Sequence, residues 1–330
     1  MRQIVEPILQ ISNLQTHFFT KAGILRAVDG VSFEIGAGEI VGLVGESGSG
    51  KSITGFSIIG LVDSPGKIIG GSIKFKGEDL KDLSNEQMQR VRGNRIAMIF
   101  QDPMMTLNPV LRVETQMIEA IQAHDDKISR EDARIRSRDA LGLVGISSPD
   151  ERLRAYPHQF SGGMRQRVSI AIAMLNRPDL IIADEPTTAL DVTIQGQVIS
   201  EMQKLCRETK TALLWITHDL AVIAGIADRV CVMYAGRIIE QGLVANVIAN
   251  PLHPYTEGLM GSVPSQNQRG KPLQQINGMV PSMLSLPRGC AFQNRCSYVT
   301  ERCSIERPDI TRLSDKRQVR CFNVSGAPKP

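Results

Sequence analysis

The pattern of apolar and polar positions changes its period along the chain and predicts strands that alternate with helices. Residues 8–36 alternate apolar and polar side chains, which is typical of antiparallel strands around a loop. Continuous apolar runs predict buried strands at 40–44, 96–100, 180–184 and 212–217. Helical periodicity is found at 53–61, 168–175 and 193–208. This alternation predicts an α/β fold with a parallel sheet, whose binding groups collect at its carboxyl edge.

Two further segments interrupt or follow this core. Residues 110 to about 155 have a charged helical pattern, so we expect a mostly helical subdomain of about residues 102–160 inserted into a core domain of residues 1–250. The chain beyond that domain is rich in Pro, Gly and polar residues. We expect residues 251–330 to form an extension with few regular elements of its own.

Composition narrows the classes of function. The chain has 330 residues, 42% hydrophobic side chains and a net charge of +4, which suits one large domain with an appendage or two domains. It has no run of five or more Lys or Arg residues, so nucleic acid is not an expected partner. Met1 to Pro7 lacks the apolar core of a signal peptide, and no stretch approaches the ~18 apolar residues of a membrane span. We expect a cytoplasmic protein that reaches a membrane only through partners.

The stretch directly after the strand at 40–44 fills every position of the pattern G-x-x-x-x-G-K-[ST]. Its residues are Gly45, Glu46, Ser47, Gly48, Ser49, Gly50, Lys51 and Ser52. Glycines let successive N–H groups point at one phosphate, and the helix that follows favours the same anion at its N-terminus. The lysine of this motif reaches the β- and γ-phosphates, and the serine hydroxyl holds Mg²⁺. A plain glycine-rich turn is the alternative, but it has no need of a Lys-Ser pair after its last glycine.

Three of the predicted strands end in polar side chains suited to phosphate chemistry. Asp184 and Glu185 end one apolar run, Gln101 ends another and His218 a third. Buried acids are costly without a cation or a hydrogen-bond partner, so we predict that Asp184 supports Mg²⁺ and that Glu185 polarises the attacking water. Gln101 is a candidate ligand of Mg²⁺ or water, with an ordinary strand end as the alternative. A lone histidine such as His218 is by itself ordinarily a surface or core residue.

A second glycine-containing segment precedes the helix at 168–175. It contains Ser161, Gly162, Gly163 and Gln166. Ser-Gly-Gly ahead of a helix offers a cap hydroxyl and exposed N–H groups, which predicts a second anion site. Capped helix starts are common, so the tripeptide alone is a weak signal.

With these segments together, the chain resembles the ATP-binding subunits of ABC transporters over roughly residues 8–250. The resemblance implies a P-loop NTPase fold of the ABC type, with a RecA-like core, an antiparallel β subdomain, an inserted helical subdomain and a C-terminal cysteine-containing extension. It assigns Gly45–Ser52 as Walker A, Gln101 as the Q-loop, Ser161–Gln166 as the signature, Leu180–Asp184 as Walker B, Glu185 as the catalytic base, Ala189–Asp191 as the D-loop and His218 as the switch histidine. Mg²⁺ would be held by Ser52, Gln101 and Asp184.

The same resemblance implies that an N-terminal aromatic residue stacks on adenine. By position this favours Phe18, with Phe19 left open as the alternative. Taken alone, either side chain is ordinarily a core residue.

A narrower resemblance is to the oligopeptide, dipeptide and nickel import group. It is carried by Met98–Met104, Tyr156–Gln159, Glu185–Thr193 and His253–Thr256. Within that group the chain looks most like the subunit that pairs with a second, different ATPase. The resemblance implies ATP-driven import of peptides through two membrane permease subunits served by an extracytoplasmic solute-binding protein, with the ATPase at the cytoplasmic face of the membrane. Import of nickel or another small solute is the alternative.

Four of the six cysteines lie in the extension: Cys290, Cys296, Cys303 and Cys321. A reducing compartment argues against disulfides, and four thiolates suit an iron–sulfur or a zinc site. The spacing is not the C-x-x-C of a zinc ribbon, and the resemblance to dipeptide-import ATPases favours a [4Fe–4S] cluster over zinc, with unligated thiols as the remaining alternative. Cys206 and Cys231 are interpreted as small core hydrophobes. We expect this extension to lie outside the nucleotide site.

Two rival functions come from other classes. A soluble ABC-type ATPase that acts on DNA or ribosomes usually has two cassettes on one chain or long coiled-coil insertions, and the sequence has neither. A regulatory module that binds ATP without hydrolysing it is the other rival. The presence of Glu185 and His218 argues against it.

Overall fold

The computed structural model of the chain describes residues 6–102, 106–188, 190–262 and 275–324. The strands are β1 Leu9–Thr20, β2 Gly23–Ile35, β3 Ile40–Val44, β4 Gly66–Phe75, β5 Glu78–Asp79, β6 Ile96–Ile99, β7 Leu180–Asp184, β8 Ala212–Thr217, β9 Arg229–Tyr234, β10 Arg237–Leu243, β11 Thr311–Arg312 and β12 Gln318–Val319. The α-helices are α1 Lys51–Ile58, α2 Asn85–Val91, α3 Val113–Gln122, α4 Arg130–Leu143, α5 Pro149–Leu153, α6 Gly162–Met174, α7 Val192–Thr209, α8 Leu220–Ile226, α9 Val244–Ala249, α10 Pro254–Gly261 and α11 Glu301–Ile305.

The chain forms two compact units. Within the described residues, the first contains 6–8, 35–39 and 82–214, and the second contains 9–34, 40–81 and 215–324. The boundary falls inside β8, so this strand has its first three residues in one unit and its last three in the other.

The first unit combines a parallel strand pair with most of the helices. Strands β6 and β7 run parallel, with Ile96 opposite Leu180 and Ile99 opposite Ala183. Every residue of β7 is buried, as its continuous apolar run predicts. Helices α3, α4 and α5 occupy the stretch between residues 110 and 155 for which the charged periodicity predicts helices. These elements carry Gln101 and Asp184 to the ends of two neighbouring parallel strands.

The second unit contains an antiparallel sheet with the strand order β2-β1-β4-β5. Strand β1 pairs with β4 from Leu9 opposite Phe75 to Phe18 opposite Gly66, with register shifts near Gln15. The alternating pattern of residues 8–36 correctly predicts two antiparallel-sheet strands, because one face of this sheet is buried while the other stays more exposed.

The second unit also contains the strand that leads into the glycine-rich loop. Strand β3 runs parallel to β9, with Val44 opposite Val232, and β9 turns back antiparallel into β10. A Cβ at Gly42 would lie 2.5 Å from a side-chain carbon of Ile223, so the glycine lets α8 pack directly on β3. Strand β3 is fully buried, and it is held by β9 and α8 up to residue 44, where the glycine-rich loop begins.

The expected extension of residues 251–330 contains the eight-residue helix α10, followed within residues 275–324 by a few short regular elements. They are a 3₁₀ turn at Gln293–Arg295, the short helix α11 and the two-residue strands β11 and β12. Strand β12 pairs with β10, with Val319 opposite Glu240, so the segment adds to the edge of a sheet in the second unit. Among the described residues, none of the helices has the length and apolarity to span a membrane.

Candidate functional site

The loop of residues 45–50 is shaped by glycines that approach other backbone closely. A Cβ at Gly45 would lie 2.2 Å from the Met233 carbonyl oxygen, and one at Gly50 would lie 2.1 Å from the Ala27 carbonyl oxygen. Gly50 also has a φ of 103°, a left-handed conformation that other residues rarely adopt. Any side chain at these two positions would force the loop away from β9 and β2.

Lys51 begins α1 and points back over the loop. Its side chain is buried, and Nζ donates hydrogen bonds to the carbonyl oxygens of Gly45 at 2.8 Å and Glu46 at 3.0 Å. A buried ammonium attracts an anion strongly, because little water screens it. The charge therefore sits over the loop, beside the positive N-terminal end of α1.

The residues of the loop fit a polyphosphate. A Cβ at Gly48, whose φ is 77°, would meet no atom of the described residues within 4 Å, so space is open beside this part of the loop. Helix α1 starts after Gly50, which supplies no side-chain cap to the first N–H groups. Ser52 follows Lys51 in the first turn and is half-buried. Its hydroxyl is of the type that holds Mg²⁺ in such loops.

Asp184 and Glu185 differ in their surroundings although they are neighbours. Asp184 is buried at the end of β7, whereas Glu185 is half-buried with a φ of 46°. The Glu185 Oε2 accepts hydrogen bonds from Thr188 Oγ1 at 2.8 Å and from Gln101 Nε2 at 3.3 Å. Positive φ at a non-glycine residue often marks a functional site. The structure thus brings Gln101 to Glu185, the predicted base.

The predicted signature forms the start of α6. Ser161 is the N-cap, and its Oγ accepts a hydrogen bond from the Met164 N–H at 3.3 Å. A Cβ at Gly162 would meet no described atom within 4 Å, whereas one at Gly163 would lie 2.7 Å from Ile194 in α7. The Gln166 side chain is buried, and its Nε2 has no hydrogen-bond partner among the described residues. The exposed part of the segment is therefore Ser161 and Gly162.

Asp191 and His218 also lie at helix starts. Asp191 caps α7, with its Oδ1 accepting from the Ile194 N–H at 3.0 Å. In the predicted D-loop, Ala189 falls outside the described residues. His218 is exposed directly after β8, one residue ahead of Asp219, the N-cap of α8. Its position at a strand's carboxyl end matches the sequence prediction.

The two candidate aromatic residues have different surroundings. Phe18 is half-buried, and a Cβ at Gly66 would lie 2.7 Å from its ring, so the ring covers this glycine of β4. Phe19 is 45% exposed on the adjacent position of β1. The choice of an adenine-stacking residue between them stays a prediction.

Sequence reasoning missed the partners of Glu46 and misplaced the extension. The guanidinium of Arg295 forms a two-bond ion pair with the Glu46 carboxylate, at 2.6 Å and 2.9 Å. The Tyr255 hydroxyl accepts a hydrogen bond from the Glu46 N–H at 2.8 Å. The expectation that the extension lies outside the nucleotide loop is therefore wrong, because Arg295 reaches that loop. An acid inside a phosphate-binding motif is a signal that could have indicated a buried cation nearby.

The four cysteines of the extension line one cavity. Cys290, Cys296, Cys303 and Cys321 share it with aromatic side chains, including Phe292 and Phe322. Burial raises the pKa of the Cys296 thiol to about 11, and it also raises those of Cys290 and Cys321. Within the described ranges, however, no three His, Cys, Asp or Glu side chains form a group that could hold a metal ion. The predicted metal centre is not confirmed, although the thiols do lie around a common space.

Comparison with known proteins gives two family matches, one of which includes the glycine-rich loop of residues 45–50. Residues 28–188 match the ABC transporter family, and residues 239–303 match the C-terminal region of oligopeptide/dipeptide transporters. The chain is 48% identical over 316 residues to the oligopeptide transport ATP-binding protein AppD of Bacillus subtilis, covering 96% of each chain. It is 45% identical over 324 residues to the dipeptide transport ATP-binding protein DppD of Escherichia coli, covering 98% of this chain and 99% of the relative.

A solved structure supports the fold. The ATP-binding cassette MJ0796, in its dimeric post-hydrolysis state bound to ADP and Pi, matches with a TM-score of 0.65 and 27% identity, over 72% of this chain and 98% of the cassette. The predicted P-loop fold of the ABC type is therefore confirmed. Near-complete coverage at almost half identity also confirms the resemblance read from the motifs: this chain belongs to the family of ABC transporter ATP-binding proteins.

Proposed function

We propose that this protein is the ATP-hydrolysing subunit of an ABC importer of di- or oligopeptides. The observation that carries the proposal is the loop of residues 45–52, in which a buried Lys51 ammonium lies beside an uncapped helix N-terminus. This arrangement favours a polyphosphate. The peptide cargo is inferred from relatives that are named oligopeptide and dipeptide transport ATP-binding proteins.

Each predicted site residue has a proposed role. Lys51 neutralises the β- and γ-phosphates, and Glu185 accepts a proton from the attacking water, with Gln101 and His218 assisting. The hydrogen bonds from Thr188 and Gln101 orient the Glu185 carboxylate, which supports its role as base.

Mg²⁺ would neutralise charge that develops on the phosphates. Ser52, Gln101 and Asp184 are its proposed ligands. Asp184 is buried at the end of β7, and a carboxylate there is the kind of oxygen ligand that Mg²⁺ takes in proteins, which supports this assignment. Phe18 is the proposed contact of adenine.

We propose a head-to-tail pair with a second, homologous ATPase, in which the signature of each subunit meets the nucleotide of the other. The open space beside Gly162 supports the idea that a partner's phosphate approaches there. Two membrane permease subunits and an extracytoplasmic peptide-binding protein complete the proposed transporter. The ATPase would then be a peripheral protein on the cytoplasmic face of the cell membrane.

The test is reconstitution of the complete transporter in vesicles. ATP hydrolysis should rise when peptide-loaded binding protein is added and should drive uptake of labelled peptide. A Lys51→Ala transporter is the control, and it should do neither. Uptake of nickel ions without uptake of peptide would contradict the proposed cargo, whereas absence of ATP hydrolysis in the complete wild-type complex would contradict the enzymatic function.

We also propose that the four extension cysteines ligate a [4Fe–4S] cluster. Their common cavity supports this, because it brings four potential thiolate ligands around one space. Such a cluster would fix a segment that has few regular elements of its own.

Metal analysis of anaerobically purified protein tests this proposal. The protein should be brown and hold about four iron atoms per chain, whereas one zinc per chain would indicate a zinc site instead. Cys303→Ser should lower the iron content. Cys231→Ser is the matched control, since Cys231 lies in β9 and a hydroxyl can replace its hydrogen bond to Gln241. Iron-free wild-type protein with an ordered extension would contradict the cluster.

A further inference from the structure

Glu46 places a negative charge in a loop that is built to hold phosphates. It directly follows Gly45, and its own carbonyl oxygen accepts a hydrogen bond from the Lys51 ammonium at 3.0 Å. A carboxylate close to a polyphosphate weakens binding, because like charges repel across a short distance with little water between them. The loop therefore requires a counter-charge for this carboxylate.

Arg295 supplies that counter-charge. Its two terminal nitrogens each bond one oxygen of the Glu46 carboxylate, at 2.6 Å and 2.9 Å, in the paired geometry that is strongest between these groups. The Arg295 side chain is only 5% exposed. Pairing with Glu46 raises the pKa of Arg295, so the guanidinium stays charged.

The surroundings of Arg295 fix it in place. Its Nε donates to the Asn277 carbonyl oxygen at 2.9 Å, and its guanidinium lies 5.9 Å from the ring centres of Tyr234 and Phe292. Tyr255 packs against the same two rings, and its hydroxyl holds the Glu46 N–H. Side chain and backbone of Glu46 are thus both held by one cluster of residues from the C-terminal part of the chain.

We propose that Arg295 is a positioning residue of the nucleotide site, which neutralises Glu46 and thereby makes the loop able to bind a polyphosphate. The proposal rests on the proposed binding of ATP by residues 45–52. Arg295 directly precedes Cys296, so its ion pair with Glu46 connects the cysteine-bearing segment to the phosphate loop. Order in that segment then sets the affinity for nucleotide in the same chain.

The direct test is nucleotide binding by Arg295→Met in the purified full-length subunit, measured with ATP, ADP and AMP. Loss of the guanidinium leaves the Glu46 carboxylate unpaired, so the Kd for MgATP should rise about tenfold or more. The rise should be smaller for ADP and smallest for AMP, because the repulsion depends on phosphate charge. Reconstituted with its partners, the variant should show a raised KM with a smaller change in kcat.

A second substitution separates charge from packing. In Arg295→Met with Glu46→Gln, the unpaired charge is gone, so the Kd for MgATP should return to within about threefold of the wild-type value. Arg295→Lys keeps the charge but loses the paired geometry, so its Kd for MgATP should lie between those of the wild type and Arg295→Met. Arg312→Met is the matched control, since it removes an exposed arginine on β11 in the same segment, and its Kd should be unchanged.

The outcomes distinguish this inference from the function on which it rests. If wild type binds ATP and Arg295→Met binds it equally well, the inference is wrong while ATP binding stands. If Arg295→Met weakens ATP, ADP and AMP equally and Glu46→Gln does not restore affinity, Arg295 has only a structural role. If wild type itself fails to bind ATP, the proposed function fails first.

Discussion

Two short glycine-containing segments precede helices in this molecule, and they differ in how the helix start is completed. At α1 the N-cap is Gly50, which has no side chain to offer, and Lys51 folds over the loop. At α6 the N-cap is Ser161, whose hydroxyl accepts the Met164 N–H, and the first helical residue, Gly162, faces open space. The first segment gives the N–H groups at its helix start no side-chain cap and adds a buried cation. The second segment caps one N–H group of its own helix start.

The difference indicates two kinds of anion site. A loop with an uncapped helix start and its own ammonium can hold a phosphate within one subunit. A capped start contributes fewer donors, and in the proposed head-to-tail pair it would meet a nucleotide that the partner subunit holds. The two segments should therefore respond differently when nucleotide binding and dimer formation are measured separately.

The largest expected effect follows from removing the cation of the first segment. Lys51→Ala should abolish ATP binding and ATP hydrolysis, because the charge that faces the β- and γ-phosphates is lost. Binding by the isolated subunit and turnover with the complete complex measure this. Lys74→Ala, on an exposed position of β4, is the control and should behave as wild type. A wild-type rate of ATP hydrolysis in Lys51→Ala would contradict the assignment of residues 45–52 as the phosphate-binding loop.

Removal of the proposed base, Glu185, leaves both glycine-containing segments intact and should affect ATP hydrolysis without affecting ATP binding. Glu185→Gln should keep ATP affinity but slow hydrolysis by ~10²-fold or more, since the amide cannot accept the proton of water. The ATP-bound dimer should accumulate and be visible by size-exclusion chromatography. Glu208→Gln, at an exposed position in α7, serves as the control. Wild-type hydrolysis by Glu185→Gln would mean that another residue is the base.

A smaller effect should follow at the second segment. Gly162→Asp has room for its side chain, and an acid in the first turn suits the helix dipole, so the fold should not suffer. The acid should nevertheless repel a partner's nucleotide and weaken ATP-dependent dimer formation about tenfold, with monomer Kd unchanged. Gly50→Ala is the opposite case, because its Cβ would collide with the Ala27 carbonyl, and monomer binding itself should be lost. If Gly162→Asp and Gly50→Ala lost ATP binding by the monomer equally, the proposed difference in role between the two segments would be wrong.

The elements of this fold are well predicted where local pattern decides them. The apolar runs predict β3, β7 and β8, because buried parallel strands need apolar side chains on both faces. The phosphate loop is predicted for a similar reason, since tight turns against backbone admit only glycine at Gly45 and Gly50. Polar residues that end buried strands, such as Asp184, can also be identified from the sequence, because removing a charged side chain from water costs free energy.

The partners of those residues are harder to predict, because they depend on contacts between distant parts of the chain. Glu46 and Arg295 are separated by 249 positions, and neither belongs to a periodic pattern. The cavity shared by the four cysteines likewise depends on how an irregular segment folds back on itself. Composition predicts that this segment has few helices and strands, but not which loop it contacts.

The smallest expected effect concerns a third helix start, at α10, where the cap is titratable. The Nδ1 of His253 accepts the Tyr255 N–H at 3.0 Å, and burial lowers the pKa of His253 from 6.5 to about 3. The folded state therefore resists protonation while the unfolded state does not, so stability that is present above pH 6.5 is lost as the pH falls towards 3. Between pH 7 and pH 5 this group alone should reduce the free energy of unfolding by about 2 kcal/mol.

Denaturant unfolding of wild type and His253→Asn at pH 7 and pH 5 measures this loss. Asparagine keeps a cap acceptor but does not titrate, so the variant should lose about 2 kcal/mol less than wild type over that interval. His158→Asn changes an exposed histidine and should follow the wild-type profile. Identical pH profiles for the wild-type and His253→Asn proteins would show that the fold does not hold the His253 imidazole in its neutral form.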